Sequence, residues 1–271
     1  MNTSYPASFV SLLDNCSTFD VINNYIGQGN PSARILIIGN ECTAPLDHYN
    51  IETMKNVETW LSNFKNNISI ENIPDGEPFN PLNPWKGWIY GGNVKPKGRN
   101  SSKTWNAYQK LANKLIGKHA VSKGDKYNFW KYCFITELST NNMSHSRQNK
   151  VKETADSIQA RLLSSNGILR TDFFQQFPII ILGCYHYKDI YDIDIEKCFN
   201  QKYICTPYDE KVGRISEFIH KHIRIDKDGT PHMLLHTNHF CMRSNRFIDA
   251  VAVECNNFIR EYGISLMPFP D

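Results

Sequence analysis

The chain has 271 residues, of which 41% are hydrophobic and 21% charged, an ordinary balance for a globular protein with a substantial core. Its 30 basic and 27 acidic residues leave a net charge of +3, which excludes the strongly basic balance of many nucleic-acid-binding domains but not a local basic patch. No apolar run approaches the roughly 20 residues that span a bilayer, and no secretory signal opens the chain. The eight cysteines form no C-x-x-C pair, so we expect free thiols in a cytoplasmic protein rather than disulfides or a metal site.

Four short apolar runs predict the strands of a sheet. They are Ile35–Ile38, Tyr132–Thr136, Ile179–Leu182 and Met233–Leu235. Each run is nearly continuous in apolar residues rather than alternating, which is typical of a parallel sheet with helices covering both faces.

Helical patterns lie between and after these strands. Apolar residues repeat at helical spacing over residues 54–64, 105–115, 151–162 and 247–262. Ser101 or Ser102 is the predicted N-cap of the second helix, and Ser244 that of the fourth. Gly167 and Gly263 are the predicted C′ glycines of the third and fourth helices. The alternation of strand and helix predicts an α/β domain with right-handed crossovers.

Two stretches depart from this alternation. Residues 70–99 hold five prolines, five glycines and several aromatic residues, which predicts a long irregular loop with a functional role. Residues 196–232 predict an antiparallel excursion, because Glu217–Ile225 alternates apolar with polar residues and Asp228-Gly229 is a turn signal. On that alternation, His220 and His222 are expected to face solvent.

Polar residues gather where the four predicted strands end. They are Asn40 and Glu41 after the first strand, Glu137 with Asn141 and Asn142 after the second, Tyr185 and His186 after the third, and His236, Asn238, His239, Arg243 and Arg246 after the fourth. Ligands of open α/β sheets bind at the carboxyl ends of the strands, so we expect a site there. A carboxylate and a histidine brought together at that edge suit general acid–base chemistry or the stabilisation of an anion.

The order of these motifs resembles the uracil-DNA glycosylase superfamily. The matching segments are Ile35–Cys42 (ILIIGNEC), Phe134–Leu138 (FITEL), Ile179–Gly183 (IIILG) and Leu235–Arg246 (LHTNHFCMRSNR). In the family, the first segment carries a water-activating residue, the second reads the base edge, and the fourth holds a histidine loop. The chain departs from the family at two loop prolines, one replaced by Cys42, and Glu137 stands where the family has a base-reading asparagine.

The resemblance implies a single domain over residues 1–271, with its core at about 33–263, and a three-layer α/β/α fold around a central, mainly parallel, four-stranded sheet. It also implies a DNA glycosylase of DNA repair that hydrolyses the N-glycosidic bond of a flipped-out, uracil-like or modified base. The partner would be DNA, single- or double-stranded, bound by a monomer without a cofactor or metal.

The resemblance also implies roles for individual residues. Asn40 or Glu41 would orient water, His236 or His239 would stabilise the leaving base, Glu137, Asn141, Trp88 and Tyr90 would bind the base, and Met242, Arg243 and Arg246 would contact nucleic acid. An ionised glutamate only accepts hydrogen bonds. Glu137 would therefore prefer a base edge with amino or imino protons, which predicts that plain uracil is not the best substrate.

Two other functions stay open beside this hypothesis. The absent loop prolines favour a catalytically inactive module that binds nucleic acid or nucleotides on the same fold. The other is a different α/β hydrolase acting on a nucleotide-like small molecule. The sequence contains no P-loop, no dinucleotide-binding glycine motif after the first strand and no nucleophile elbow, which argues against those classes of α/β protein.

Overall fold

The computed structural model describes residues 5–16, 25–41, 55–73, 80–83, 88–92, 94–95, 98–99, 102–140, 147–241 and 243–266. The helices in these ranges are α1 (Ala7–Asp14), α2 (Asn56–Lys65), α3 (Lys103–Ile116), α4 (Arg147–Ile158), α5 (Asp172–Gln175), α6 (Tyr187–Ile190), α7 (Ile195–Phe199) and α8 (Asn245–Tyr262). None of these helices is long and apolar enough to cross a bilayer. The strands are β1 (Gln28–Gly29), β2 (Ile35–Glu41), β3 (Val94–Lys95), β4 (Gly98–Arg99), β5 (Cys133–Ser139), β6 (Ile179–Leu182), β7 (Lys202–Val212), β8 (Ile215–Ile225) and β9 (Pro231–Thr237).

Seven of the strands form one mixed sheet in the order β1-β5-β2-β6-β9-β8-β7. The neighbours β5, β2, β6 and β9 pair in parallel and contain the four predicted strands. Antiparallel strands flank them, β1 beside β5 and the β7–β8 hairpin beside β9. The α/β class is therefore confirmed, but the sheet is larger than the four strands predicted.

Helices cover both faces of the parallel strands, as the continuous apolar runs predict. Leu36 and Ile38 pack in a core cluster with side chains of α1, α2 and α5, on what we call the α1 face. Ile35 and Ile37 pack in a second cluster with side chains of α3 and α8, on the α8 face. Fully burying an aliphatic side chain contributes about 1.5–3 kcal/mol, so these two clusters hold the strand ends in fixed positions.

Three of the predicted helix ends are confirmed. The hydroxyl of Ser102 accepts a hydrogen bond from the Trp105 amide at 3.4 Å, and that of Ser244 accepts one from the Phe247 amide at 3.0 Å. Gly263 ends α8 in the left-handed conformation, with φ of 63°. The prediction for Gly167 is wrong. A π-helical turn, Gln159–Leu163, continues α4 and ends before Ser164, and Gly167 has φ of −63°. A β-carbon at Gly167 would lie 2.4 Å from the Arg161 carbonyl oxygen, so this glycine permits a close backbone approach instead.

The antiparallel excursion is the β7–β8 hairpin, followed by the predicted turn at Asp228-Gly229 that leads into β9. The prediction that His222 faces solvent is wrong, since its side chain is only 5% exposed. The ring of Tyr203, its register partner in β7, lies 5.6 Å from the His222 ring and covers part of it. His220, two residues earlier on the same face of β8, is half-buried.

Candidate functional site

The strand order creates a crevice at the carboxyl ends of β2 and β6. β2 is the first parallel strand along the chain; its successor β5 lies on one side of it and β6 on the other. Chain connections therefore leave this point in opposite directions, which is where open α/β sheets bind ligands. Gly39 in β2 and Gly183 just after β6 meet there, and the Gly183 amide donates to the Ile38 carbonyl at 2.9 Å. We call the place where these two glycines meet, on the α8 face, the glycine gap.

Glu137 borders the glycine gap from β5. It is the register partner of Gly39 in the parallel pair β2–β5. A β-carbon on Gly39 would lie 2.1 Å from Oε2 of Glu137 and 3.2 Å from Oε1, so the carboxylate rests directly on the Gly39 backbone. Oε2 is buried. The sequence-predicted base-binding carboxylate thus lies at the crevice.

A buried arginine holds the backbone of Glu137 from the opposite face. The Arg161 guanidinium donates to the Glu137 carbonyl from Nε at 3.2 Å and from Nη2 at 3.1 Å. Its Nη1 donates to the Tyr25 carbonyl at 2.9 Å. Hydrogen bonds from a cation are stronger than neutral ones, and they offset part of the cost of burying this charge. Arg161 is not predicted from the sequence. The one sign of its burial is that it follows Ile158 by three residues and so lies on the apolar face of the helix.

Tyr108 of α3 lies close to Glu137 on the α8 face and is also buried. Burial, and then the neighbouring Glu137 charge, raise the pKa of the Tyr108 hydroxyl well above its ordinary value. The phenol therefore stays protonated at physiological pH. Its ring packs edge-on against Phe240 at 5.5 Å, so it joins the wall of the site to the loop after β9. A tyrosine on an apolar helical stripe is typical of a core residue, and the sequence gives no further sign of this position.

His239 borders the gap from the other side. Its α-carbon lies 3.6 Å from the position that a β-carbon on Gly183 would take. The Cys241 amide donates to Nδ1 of His239 at 3.2 Å, which leaves Nε2 to carry the proton of the neutral ring. Burial, and then the positive charge of Arg243, lower the pKa of His239. A neutral imidazole with an N–H donor can stabilise charge that develops on a leaving group.

His236 lies on the opposite face from Glu137. Successive side chains of a strand point to opposite faces. Leu235 packs on the α8 face and Leu234 on the α1 face, so His236 lies on the α1 face as well. Its Nε2 donates to the Tyr185 carbonyl at 3.2 Å, and its ring lies 5.5 Å from that of His220. Burial is the main cause that lowers the pKa of His236 to about 4. Of the two predicted histidines, the structure brings only His239 to the glycine gap.

The two predicted water-activating residues end β2. Asn40 is half-buried, and its Oδ1 is buried. Because it is the residue after Gly39 in the strand, it lies on the opposite face of the sheet, the α1 face. Glu41 pairs with Ser139 in the parallel register, but its side chain lies outside the described part of the structure. Asn141 and Met242 also lie outside the described residues.

The predicted stacking residues Trp88 and Tyr90 pack near α3. The Trp88 ring meets that of Trp105 edge-on at 4.4 Å, and the Tyr90 ring lies 6.4 Å from that of Tyr127. Tyr90 also borders a groove of about 370 Å³ between α3 and α8, where Lys110 is another lining residue. Both rings therefore already have packing partners on the α8 side of the molecule.

The two predicted nucleic-acid-binding arginines differ in their surroundings. Arg243 folds back on its own loop and donates from Nε to the His239 carbonyl at 3.0 Å. Arg246, in the first turn of α8, is largely exposed, and its Nη1 lies 4.0 Å from Glu210. Arg243 thus supports His239, whereas Arg246 presents its charge to solvent.

Tyr185, one of the residues predicted at the strand ends, follows β6 in a strained conformation. Its φ is 45°, a left-handed value that is uncommon outside glycine. The ring is 38% exposed and lies 6.0 Å from Phe218. Strain of this kind concentrates at functional sites, and Tyr185 is thus a further candidate at the same sheet edge.

No family model, curated protein or solved structure matches this chain. Among the described residues, no group of three or more His, Cys, Asp or Glu side chains is placed to hold a metal ion. The glycine gap brings together the Glu137 carboxylate over Gly39, the buried Tyr108 phenol near Glu137, and the backbone of His239 beside Gly183.

Proposed function

We propose that the glycine gap is the base pocket of an N-glycosidic-bond hydrolase that acts on a nucleotide extruded from DNA. The observation that carries this proposal is the Glu137 carboxylate on the Gly39 backbone, at the carboxyl ends of β5 and β2. These are the strands that correspond to the first two motifs of the uracil-DNA glycosylase superfamily. The proposal includes the finer fold assignment, in which the four parallel strands and their covering helices form that superfamily's three-layer arrangement.

The chemistry of Glu137 defines the class of base. An ionised carboxylate only accepts hydrogen bonds, so it favours an edge with amino or imino protons, such as that of cytosine, guanine or a modified base. Uracil offers only its N3–H as a donor and places the O4 acceptor beside it, where the carboxylate would be repelled, whereas cytosine and guanine carry an exocyclic amino group on this edge.

His239 would assist departure of the base. Water adds to the sugar C1′ while the N-glycosidic bond breaks and its electron pair goes to the base, and the proton that the added water loses ends on the departed base. The Nε2–H of the neutral His239 ring would then donate to the resulting anion. Orientation of the water is carried over from the family resemblance. Of its two candidates, Asn40 lies toward the α1 face, opposite the glycine gap, so the proposal gives this role to Glu41.

The test is an excision assay on oligonucleotides that each carry one uracil, cytosine, guanine or modified base, with strand cleavage by alkali as the readout. We expect faster release of a base with an exocyclic amino group on this edge than of uracil. Glu137→Gln should lower that release by about 10- to 100-fold, since one good bidentate base contact discriminates by about 1–3 kcal/mol. The matched control is Glu153→Gln, an exposed carboxylate on α4, which should leave the rate unchanged.

Rapid uracil release that Glu137→Gln does not affect would overturn the assignment of Glu137. Salt-sensitive DNA binding without release of any base would replace the hydrolase with the binding-module alternative.

A further inference from the structure

The β7–β8 hairpin extends past the carboxyl edge of the parallel strands. The final pair between β8 and β9 joins Ile219 to Thr237, whereas residues 215–218 of β8 pair with residues 209–212 of β7. Four residues of strand span about 13 Å at roughly 3.3 Å per residue. We call residues 209–218 the arm, and it projects beyond the edge at which the glycine gap opens.

The base of the arm is fixed to the loop after β9. The side chain of Asn238 accepts from the Phe218 amide at 2.8 Å and donates to the Ser216 carbonyl at 2.9 Å. Glu217 is buried, and its carboxylate accepts from the amide and the hydroxyl of Ser244 at the start of α8, at 2.8 and 2.5 Å. These bonds fix the base of the arm in place.

A row of aromatic rings places the arm on the same face as the glycine gap. The Tyr208 ring, at the base of the arm, lies 6.2 Å from that of Phe247. Phe247 lies 5.5 Å from Phe240, and Phe240 lies 5.5 Å from Tyr108. Since Tyr108 is close to Glu137, the row runs from the arm to the wall of the proposed pocket.

The tip of the arm combines exposed aliphatic and basic side chains. Val212 and Ile215 are register partners, and each is 41% exposed. Lys211 and Arg214 stand next to them and are exposed as well. Exposed aliphatic pairs flanked by cations are what proteins use to wedge between base steps while holding the phosphates.

The carboxylates of the arm lie behind the tip and have partners there. Asp209 accepts from the Ser216 hydroxyl at 3.4 Å. Glu210 accepts from the Tyr208 hydroxyl at 3.2 Å and lies 4.0 Å from Arg246. The foremost charges of the arm are therefore the two cations, Lys211 and Arg214.

We propose that the arm contacts duplex DNA beside the extruded nucleotide, with Val212 and Ile215 wedged between bases and with Lys211 and Arg214 on phosphates. This inference rests on the proposed function and adds a contact surface distinct from the 242–246 segment. The expected partner is duplex DNA, because a wedge is needed only to separate stacked, paired bases, and a single strand has little stacking to break.

The wedge is tested with the double variant Val212→Ser/Ile215→Ser in single-turnover excision of the preferred base. We expect a fall of about tenfold or more from duplex and a change within about twofold from single strand, because only the duplex must be opened. The matched control is Ile204→Ser/Ile225→Ser, which changes two isoleucines of 56% and 51% exposure at the other end of the same hairpin. The control should excise as the wild type does, and all three proteins should melt at the same temperature.

The phosphate contacts are tested with Lys211→Gln/Arg214→Gln in duplex binding at several salt concentrations. Loss of two contacts should lower the slope of log affinity against log salt by about 1.8. The control Lys202→Gln/Lys227→Gln removes two exposed cations from the far end of the hairpin and should leave the slope unchanged.

The outcomes separate this inference from the proposed function. Wild-type excision with unaffected tip variants, or with equal losses on duplex and single strand, overturns the arm and leaves the hydrolase standing. Duplex binding that the tip variants weaken, without excision of any base, supports the arm and overturns the hydrolase. A protein that neither excises nor binds DNA overturns both.

Discussion

The substitution Gly39→Ala displaces the proposed base-reading carboxylate without removing it. The new methyl group would start 2.1 Å from Oε2 and 3.0 Å from Cδ of Glu137. Ordinary van der Waals contact begins at about 3.4 Å, so the carboxylate must retreat by about 1.3 Å. The end of a glutamate side chain is flexible, and the β2 backbone suits alanine, so the side chain moves and the sheet stays.

The structure predicts a large loss of activity with a small change in stability. A shift of about 1 Å in a positioning group can cost about 100-fold in rate. Alanine in a strand gains roughly 0.5–1 kcal/mol over glycine, and this gain opposes the cost of moving a buried carboxylate. We therefore expect the melting temperature to change by only about 2–4 °C, as a net 1 kcal/mol implies for a domain of this size.

The assay is single-turnover excision of the preferred base, with melting followed in parallel. A Gly39→Ala protein as active as wild type would refute the reasoning. A fall in melting temperature well beyond about 4 °C would refute it as well, because the sheet and not the side chain would then have moved.

Three further predictions concern the residues around the gap. His239→Ala should lower the excision rate by about 100-fold or more while substrate binding changes little, because the donor acts on the leaving base; an unchanged rate would exclude that role. Arg161→Lys should destabilise the fold by about 2–3 kcal/mol in urea unfolding, because a lysine cannot serve both the Glu137 and Tyr25 carbonyls; wild-type stability would contradict this. His236 has a pKa of about 4 when folded and about 6.5 when unfolded, so the unfolded chain binds its proton first and stability falls by roughly 3 kcal/mol between pH 6.5 and 4. His236→Gln should flatten that part of the pH profile, and an equally steep profile would count against it.

Much of the fold is predictable because the signals are local. The parallel strands show as continuous apolar runs, since burial on both faces demands apolar residues at every position. Ser102, Ser244 and Gly263 show as helix ends, since each acts on its own turn. β1 escapes prediction because two residues carry no periodicity.

The candidate site is only partly predictable because its geometry depends on strand register. Strand ends indicate Glu137 and His239, but whether they share a face depends on the alternation within β5 and β9 and on the loop that follows β9. The same alternation places His236 on the α1 face, opposite Glu137. Tyr108 and Arg161 come from helices that are distant in sequence, and no local pattern distinguishes them from core residues.

Asn238 links two parts of the molecule that would otherwise act independently. Its side chain ties down the arm, and the next residue in the chain is His239. With both proposals in place, binding at the arm and binding in the pocket would be linked through this residue, and such a linkage is reciprocal. A base bound at Glu137 would then strengthen binding at the arm, and a duplex bound at the arm would hold His239 in position. The protein would then select its substrate by two properties in one binding event, namely how easily the DNA duplex opens and which base is extruded from it.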